Sequence, residues 1–173
     1  EQMEKMNIKT NEIDFIALSH LHSDHVGAAT MFKEAIWLVQ EPEFDAAFSP
    51  SPIFDLTLYE GLKSNKRQLL NGDFDVFGDG SVTILSAPGH TPGHQVLLLD
   101  LKAFGPLLLS GDLYHFVKSR ELKSVPDFNV NAEETLESMS KIENIIATKK
   151  ATLWIEHSLD LSQTIDLAPA YYD

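Results

Sequence analysis

The chain has 173 residues and 26 acidic against 13 basic side chains, a formal net charge of −13. That balance argues against a nucleic-acid partner, because phosphate backbones are held by clustered lysine and arginine. The absence of cysteine excludes disulfides and zinc–thiolate sites. A hydrophobic share of 43% at this length predicts one domain, residues 1–173, with its own core. No apolar run approaches a membrane span, and Glu1 to Thr10 lacks the basic-then-apolar pattern of a signal peptide, so a cytoplasmic protein is expected.

In chain order, Glu1 to Met6 reads as the end of a helix and Asn7 to Glu12 as a polar connection. Ile13 to Leu18 is a buried strand, and Val26 to Ala35 reads as a helix. Ile36 to Val39 is a short strand. Glu41-Pro42-Glu43 starts a helical turn, with proline in the tolerated first turn and acids at the N-terminus. Phe44 to Lys63 is expected to form a core-covering helix pair broken by the loop Ser49-Pro50-Ser51-Pro52, with one or two aromatics reaching a pocket. Phe74 to Phe77, the turn Gly78-Asp79-Gly80 and Val82 to Leu85 read as a hairpin. His94 to Leu101 and Leu107 to Leu109 are strands joined by a turn at Phe104-Gly105-Pro106. Asn131 caps a helix that carries Leu136, Met139, Ile142, Ile145 and Ile146 at helical spacing, followed by the strand Leu153 to Ile155.

Chemistry concentrates in Ser19-His20-Leu21-His22-Ser23-Asp24-His25. Three histidines and an aspartate within six positions, on a strand-to-helix turn, are hard to explain as packing. Imidazole and carboxylate are ligands of borderline cations such as zinc. In an extended segment His20 and His22 point the same way, while Asp24 and His25 sit at the turn and can face a second ion. Further ligand-type residues stand at the ends of later strands: His90 and His94 in Pro88-Gly89-His90-Thr91-Pro92-Gly93-His94, Asp112 in Ser110-Gly111-Asp112, and His157 after Leu153-Trp154-Ile155-Glu156. Ser19, Ser110 and Ser158 lie in no nucleophile elbow and are not nucleophile candidates.

This order of motifs resembles the dinuclear metallo-β-lactamase superfamily. Pro88 to Gln95 and Gly111-Asp112-Leu113-Tyr114-His115 are most similar to its N-acyl homoserine lactonases. The resemblance implies an α/β (α+β) fold, the αβ/βα sandwich, with much of the N-terminal half absent from this chain. On that expectation a missing segment or a second chain completes the first sheet, and a homodimer is a further possibility. It also implies that His20, His22 and His90 hold one divalent cation and that Asp24, His25 and His157 hold the other. Asp112 would bridge the two, with zinc preferred and iron, cobalt or manganese as alternatives. Two adjacent cations need such an anionic bridge.

The activity implied is opening of an N-acyl homoserine lactone ring by a metal-bridging hydroxide, which is quorum quenching. Asp24, Asp112, His115 and Tyr114 are the candidate catalytic residues. His115 stands three positions after Asp112, where related lactonases carry a tyrosine, and Tyr114 is displaced by one. His94 is expected to orient a ligand by a hydrogen bond. The substrate is a small amphiphilic ester or lactone, with Phe48, Phe54, Tyr59, Phe116 and Phe128 as candidate contacts for its apolar tail. A phosphotriesterase, arylesterase or thioesterase on the same dinuclear core is the alternative. From another class, the chain is a non-catalytic metal-binding fragment or subunit.

Overall fold

A computed structural model describes residues 2–173. The elements are α1 (Gln2–Lys5), β1 (Phe15–Ala17), β2 (Ile36–Gln40), α2 (Glu41–Ala47), β3 (Arg67–Leu70), β4 (Phe74–Asp75) and β5 (Val82–Ser86). They continue with β6 (Gln95–Leu101), β7 (Gly105–Leu109), α3 (Val117–Leu122), α4 (Ala132–Lys149), β8 (Thr152–Trp154) and α5 (Leu159–Ser162). No helix among the described residues is long and apolar enough to cross a membrane.

Two sheets form. β1, β2 and β3 lie in that order, all parallel. β4 to β8 form a second sheet in sequence order, antiparallel except for the parallel pair β7 and β8. Strand alternation sorts the apolar side chains into layers. Trp37 and Val39 of β2 face outward with Ala47, Tyr59 and Leu62. The residue between them, Leu38, faces inward and meets Leu70 and Ile84, with Leu97 packed alongside, so this cluster joins the two sheets. On the far side of the second sheet, Val96, Leu98 and Leu108 pack against Met139 and Ile142 of α4. The order is helix, sheet, sheet, helix, which is the expected α/β sandwich.

A buried amide pair ties the sheets near the site. The Gln40 side chain donates to Gln95 Oε1 at 3.3 Å, and Gln95 Nε2 donates to the Leu18 carbonyl at 2.8 Å. The end of β1 is thereby fixed against the start of β6, and both lead into ligand-bearing loops.

The hairpin over residues 74–86 forms, with Phe74 opposite Ile84, but its first strand is Phe74–Asp75 rather than Phe74 to Phe77. Asp75 accepts hydrogen bonds from the Gly78 and Gly80 amides in its turn. Asn131 caps α4 by accepting from the amides of Glu133 and Glu134. Other expectations are corrected. Val26 to Ala35 is not a helix: only Ala29–Met31 forms a 3-10 turn, with amides bonding three residues back. Gly27 weakens a helix here, and a segment of this length has little helical stability alone. The expected helix pair is α2 followed by two 3-10 turns, Leu56–Leu58 and Glu60–Ser64. Gly105 and Pro106 belong to β7 rather than to the turn before it.

Candidate metal centre

The site lies where β1, β5, β7 and β8 run out into loops. His20 and His22 leave the end of β1, and Leu21 between them is buried in the first-sheet core. That anchoring turns both imidazoles to the opposite side. His22 Nδ1 lies 2.9 Å from His20 Nε2 and 3.0 Å from His90 Nε2, while His20 Nε2 and His90 Nε2 are 3.2 Å apart.

The tautomer of His90 follows from its outer partner. His90 Nδ1 donates to Asn129 Oδ1 at 3.0 Å, which leaves its Nε2 as a bare lone pair. Burial pushes the pKa values of His20 and His22 down, toward the neutral imidazole that coordinates metals. Three ring nitrogens within 3.2 Å of one another form the kind of imidazole cluster that holds a borderline cation.

Asp112 stands between two groups of histidines. Its Oδ2 lies 3.3 Å from His90 Nε2 and 3.7 Å from His20 Nε2. Its Oδ1 lies 3.0 Å from His157 Nε2 and 3.1 Å from His25 Nε2. Burial alone would raise the Asp112 carboxyl, but the rings of His115, His25 and His90 hold it well below the usual carboxylate range. His25 Nε2 is buried and, despite this proximity, makes no well-directed hydrogen bond. Asp24 Oδ2 completes the second group, 3.7 Å from His25 Nε2 and 3.8 Å from His157 Nε2. A group of His25, Asp112 and Glu156 overlaps two donor sets: His20, His22, His90 and Asp112, and Asp24, His25 and His157. One carboxyl oxygen of Asp112 faces each. This all-nitrogen-and-oxygen chemistry and the orphaned His25 nitrogen fit a pair of divalent cations.

An outer layer positions these donors. Ser19 Oγ lies 3.1 Å from His20 Nδ1 and 3.3 Å from His25 Nδ1, so one hydroxyl contacts both rings. His94 is fully buried; its Nδ1 donates to the Ala87 carbonyl, and its Nε2 accepts from the Asp112 amide at 3.0 Å. Burial pushes its pKa down to about 3, which keeps that acceptor free. The packing leaves Gly111 no room for a side chain: a Cβ there would lie 2.7 Å from His94 Nε2 and from Ser19 Cβ. Its φ of +48° also favours glycine. Glu156 Oε2 approaches His25 Nδ1 at 3.7 Å. Asn129 and Glu156 were not singled out from the sequence, because their partners are distant in the chain and neither belongs to a local motif.

His115 and Tyr114 separate. The 3-10 turn Gly111–Leu113 ends at Tyr114, which is extended (φ −132°, ψ 124°), so the adjacent side chains of Tyr114 and His115 leave toward opposite sides. His115 Nε2 lies 3.3 Å from Asp112 Oδ2, and its ring stacks on His157 with centroids 5.6 Å apart. Tyr114 points into the core beside α4, and its hydroxyl donates to Glu143 Oε1 at 2.8 Å. Tyr114 therefore does not face the donor sets, unlike His115. Tyr114→Phe should lower stability by about 1 kcal/mol, the usual worth of one hydrogen bond. Its turnover should stay within about twofold of the parent; thermal melts and steady-state kinetics check both.

The expected tail contacts also divide. Tyr59 is buried with its hydroxyl donating to the Ala47 carbonyl, and Phe48 packs on Phe44 and Tyr59, so both are core residues. Phe54 reaches the site, its ring 5.5 Å from His22. Phe128 stands 5.4 Å from His115 and 5.9 Å from His90, while Phe116 is 6.5 Å from His115. Phe116 and Phe128 are both largely exposed, at the mouth.

Residues 2–145 match the metallo-beta-lactamase superfamily. The chain is 32% identical to the N-acyl homoserine lactonase AttM of Azorhizobium caulinodans, over 99% of this chain and 68% of that protein. It is 27% identical to an N-acyl homoserine lactonase of a Bacillus species, over 98% of this chain and 65% of that protein. It therefore spans about two thirds of the length of these relatives. In fold it is similar to an N-acyl homoserine lactone hydrolase solved with N-hexanoyl-L-homoserine at its catalytic metal centre. That match has a TM-score of 0.86 at 24% identity and covers 99% of this chain and 66% of that one. AidC, a dizinc quorum-quenching lactonase, is similar at a TM-score of 0.68 and 21% identity, over 88% of this chain and 60% of that one.

Proposed function

Because the chain belongs to the metallo-beta-lactamase superfamily, alongside its N-acyl homoserine lactonases, we propose that it carries the metal centre of an enzyme that hydrolyses the lactone ring of N-acyl homoserine lactones. The observation that carries this reading is Asp112, with one carboxyl oxygen toward each donor set. His20, His22 and His90 would hold one divalent cation and Asp24, His25 and His157 the other, with Asp112 shared. Zinc suits these donors, and AidC is a dizinc enzyme. When bound, such a pair polarises an ester carbonyl and makes water nucleophilic at neutral pH.

The chain's own residues do the rest. Asp112 keeps the two halves in register, and His94 fixes the main chain of Asp112. His115, on the Oδ2 side, holds a proton at Nε2 for the ring oxygen as its ester bond breaks, so the product leaves as an alcohol. Phe54, Phe116 and Phe128 offer apolar surface to an acyl tail.

Metal-quantified protein mixed with N-hexanoyl-homoserine lactone should release acid and yield the ring-opened hydroxy acid. A phosphotriester run in parallel should turn over poorly. The reverse preference would keep the metal centre and refute the substrate class.

A further inference from the structure

Glu43 is a buried acid that the metal chemistry above does not use. It sits in the first turn of α2, only 2% exposed. Its Oε1 accepts from the Leu21 amide at 3.1 Å, and its Oε2 accepts from the Gly93 amide at 2.8 Å. Leu21 lies between His20 and His22. Gly93 lies in the loop that carries His90 and His94. One carboxyl group therefore clips together the two loops that supply all three histidines of one donor set.

The packing agrees with this. A Cβ on Gly93 would lie 2.4 Å from the Glu43 amide nitrogen and from its Cβ, so the loop backbone rests directly on α2. Both contacts require an acceptor. A glutamine would turn an amide donor against one of the two N–H groups. Burial raises the carboxyl's pKa, and cations at the neighbouring histidines would favour its ionised form.

We propose that Glu43 is a positioning residue for the His20–His22–His90 cation site, setting its affinity through the Leu21 and Gly93 amides. The proposal rests on the metal-centre reading above, but its test needs no substrate. Divalent zinc is titrated against a chromophoric chelator in protein carrying Asp24→Ala, which takes a donor from the other set. Adding Glu43→Gln should weaken the remaining site by about 10- to 100-fold, the range for losing a ligand's outer partner. Glu43→Asp keeps two acceptor oxygens and should fall between parent and Gln.

Asn65→Ala serves as the structural control. Asn65 donates to the Phe32 and Ala35 carbonyls before β2. Its loss should lower the melting temperature of metal-free protein and leave zinc affinity unchanged. If Glu43→Gln behaves like Asn65→Ala, with a lower melting point and parental zinc affinity, the proposal is overturned. If Glu43→Gln does not fold, the Asp variant decides: parental affinity overturns the proposal, and a measurable loss supports it. Failure of the lactone assay would leave these zinc measurements unaffected.

Discussion

Replacing Asp112 by alanine is expected to abolish lactone turnover and to weaken both cation sites at once. The reason is geometric: Oδ2 faces His20 and His90, and Oδ1 faces His25 and His157. Losing a histidine from one set should impair mainly that set, whereas losing Asp112 removes a donor from each. The cost per site should exceed the roughly 10- to 100-fold typical of an outer-layer partner. Asp112→Asn separates charge from shape. It keeps one carbonyl oxygen and loses the anion that offsets two adjacent cations, so it should resemble Ala rather than the parent. Metal quantification after gel filtration, with acid release on the same samples, reads both effects. Two retained equivalents with parental turnover in Asp112→Ala would rule out a shared carboxylate.

The second large effect is expected at His115. Its ring borders the Oδ2 side of Asp112 and stacks on His157, with Phe128 beside it. A group placed there to protonate a leaving alkoxide typically contributes about 10²- to 10⁴-fold. His115→Ala should therefore reduce kcat on an acyl homoserine lactone by that order while both metal equivalents remain. An aryl ester, whose leaving group needs no proton, should be much less sensitive to the change. Loss of metal in parallel with activity would instead make His115 a ligand or a support for His157. Equal losses on both esters would remove its role as an acid.

The donor set was legible because it is local. His20, His22, Asp24 and His25 fall within six positions, and each later donor stands just beyond an apolar run that forms a strand. Tyr114 and His115 show where such reading stops. They are adjacent, both carry suitable chemistry, and only the backbone after the Gly111–Leu113 turn, extended at Tyr114, decides that His115 faces Asp112 while Tyr114 enters the core. In the sequence Glu43 is a helix N-terminal acid, which it is in the structure too; its contacts to residues 21 and 93 are long-range and leave no local pattern.

The elements that escaped the sequence are those made by tertiary contact. β3 reads Arg67-Gln68-Leu69-Leu70 with three of its four residues exposed, and its pairing with β2 makes it a strand. α3 and α5 are short, with six and four residues. Helices of that length rely on their surroundings rather than on propensity. Conversely, Val26 to Ala35 carries a helix-like apolar pattern, but the chain turns there to bring Asp24 and His25 to the site and then enters β2.

The measurement that bears most directly on a dinuclear lactonase is a metal titration of the chelator-stripped chain, with acid release from an acyl homoserine lactone read at each addition of zinc. Turnover should be negligible without metal and should rise to a plateau at two equivalents. Asp112→Ala should show no such plateau. Full turnover in stripped protein, or a plateau at one equivalent that survives loss of Asp24 and His157, would contradict two cations sharing Asp112.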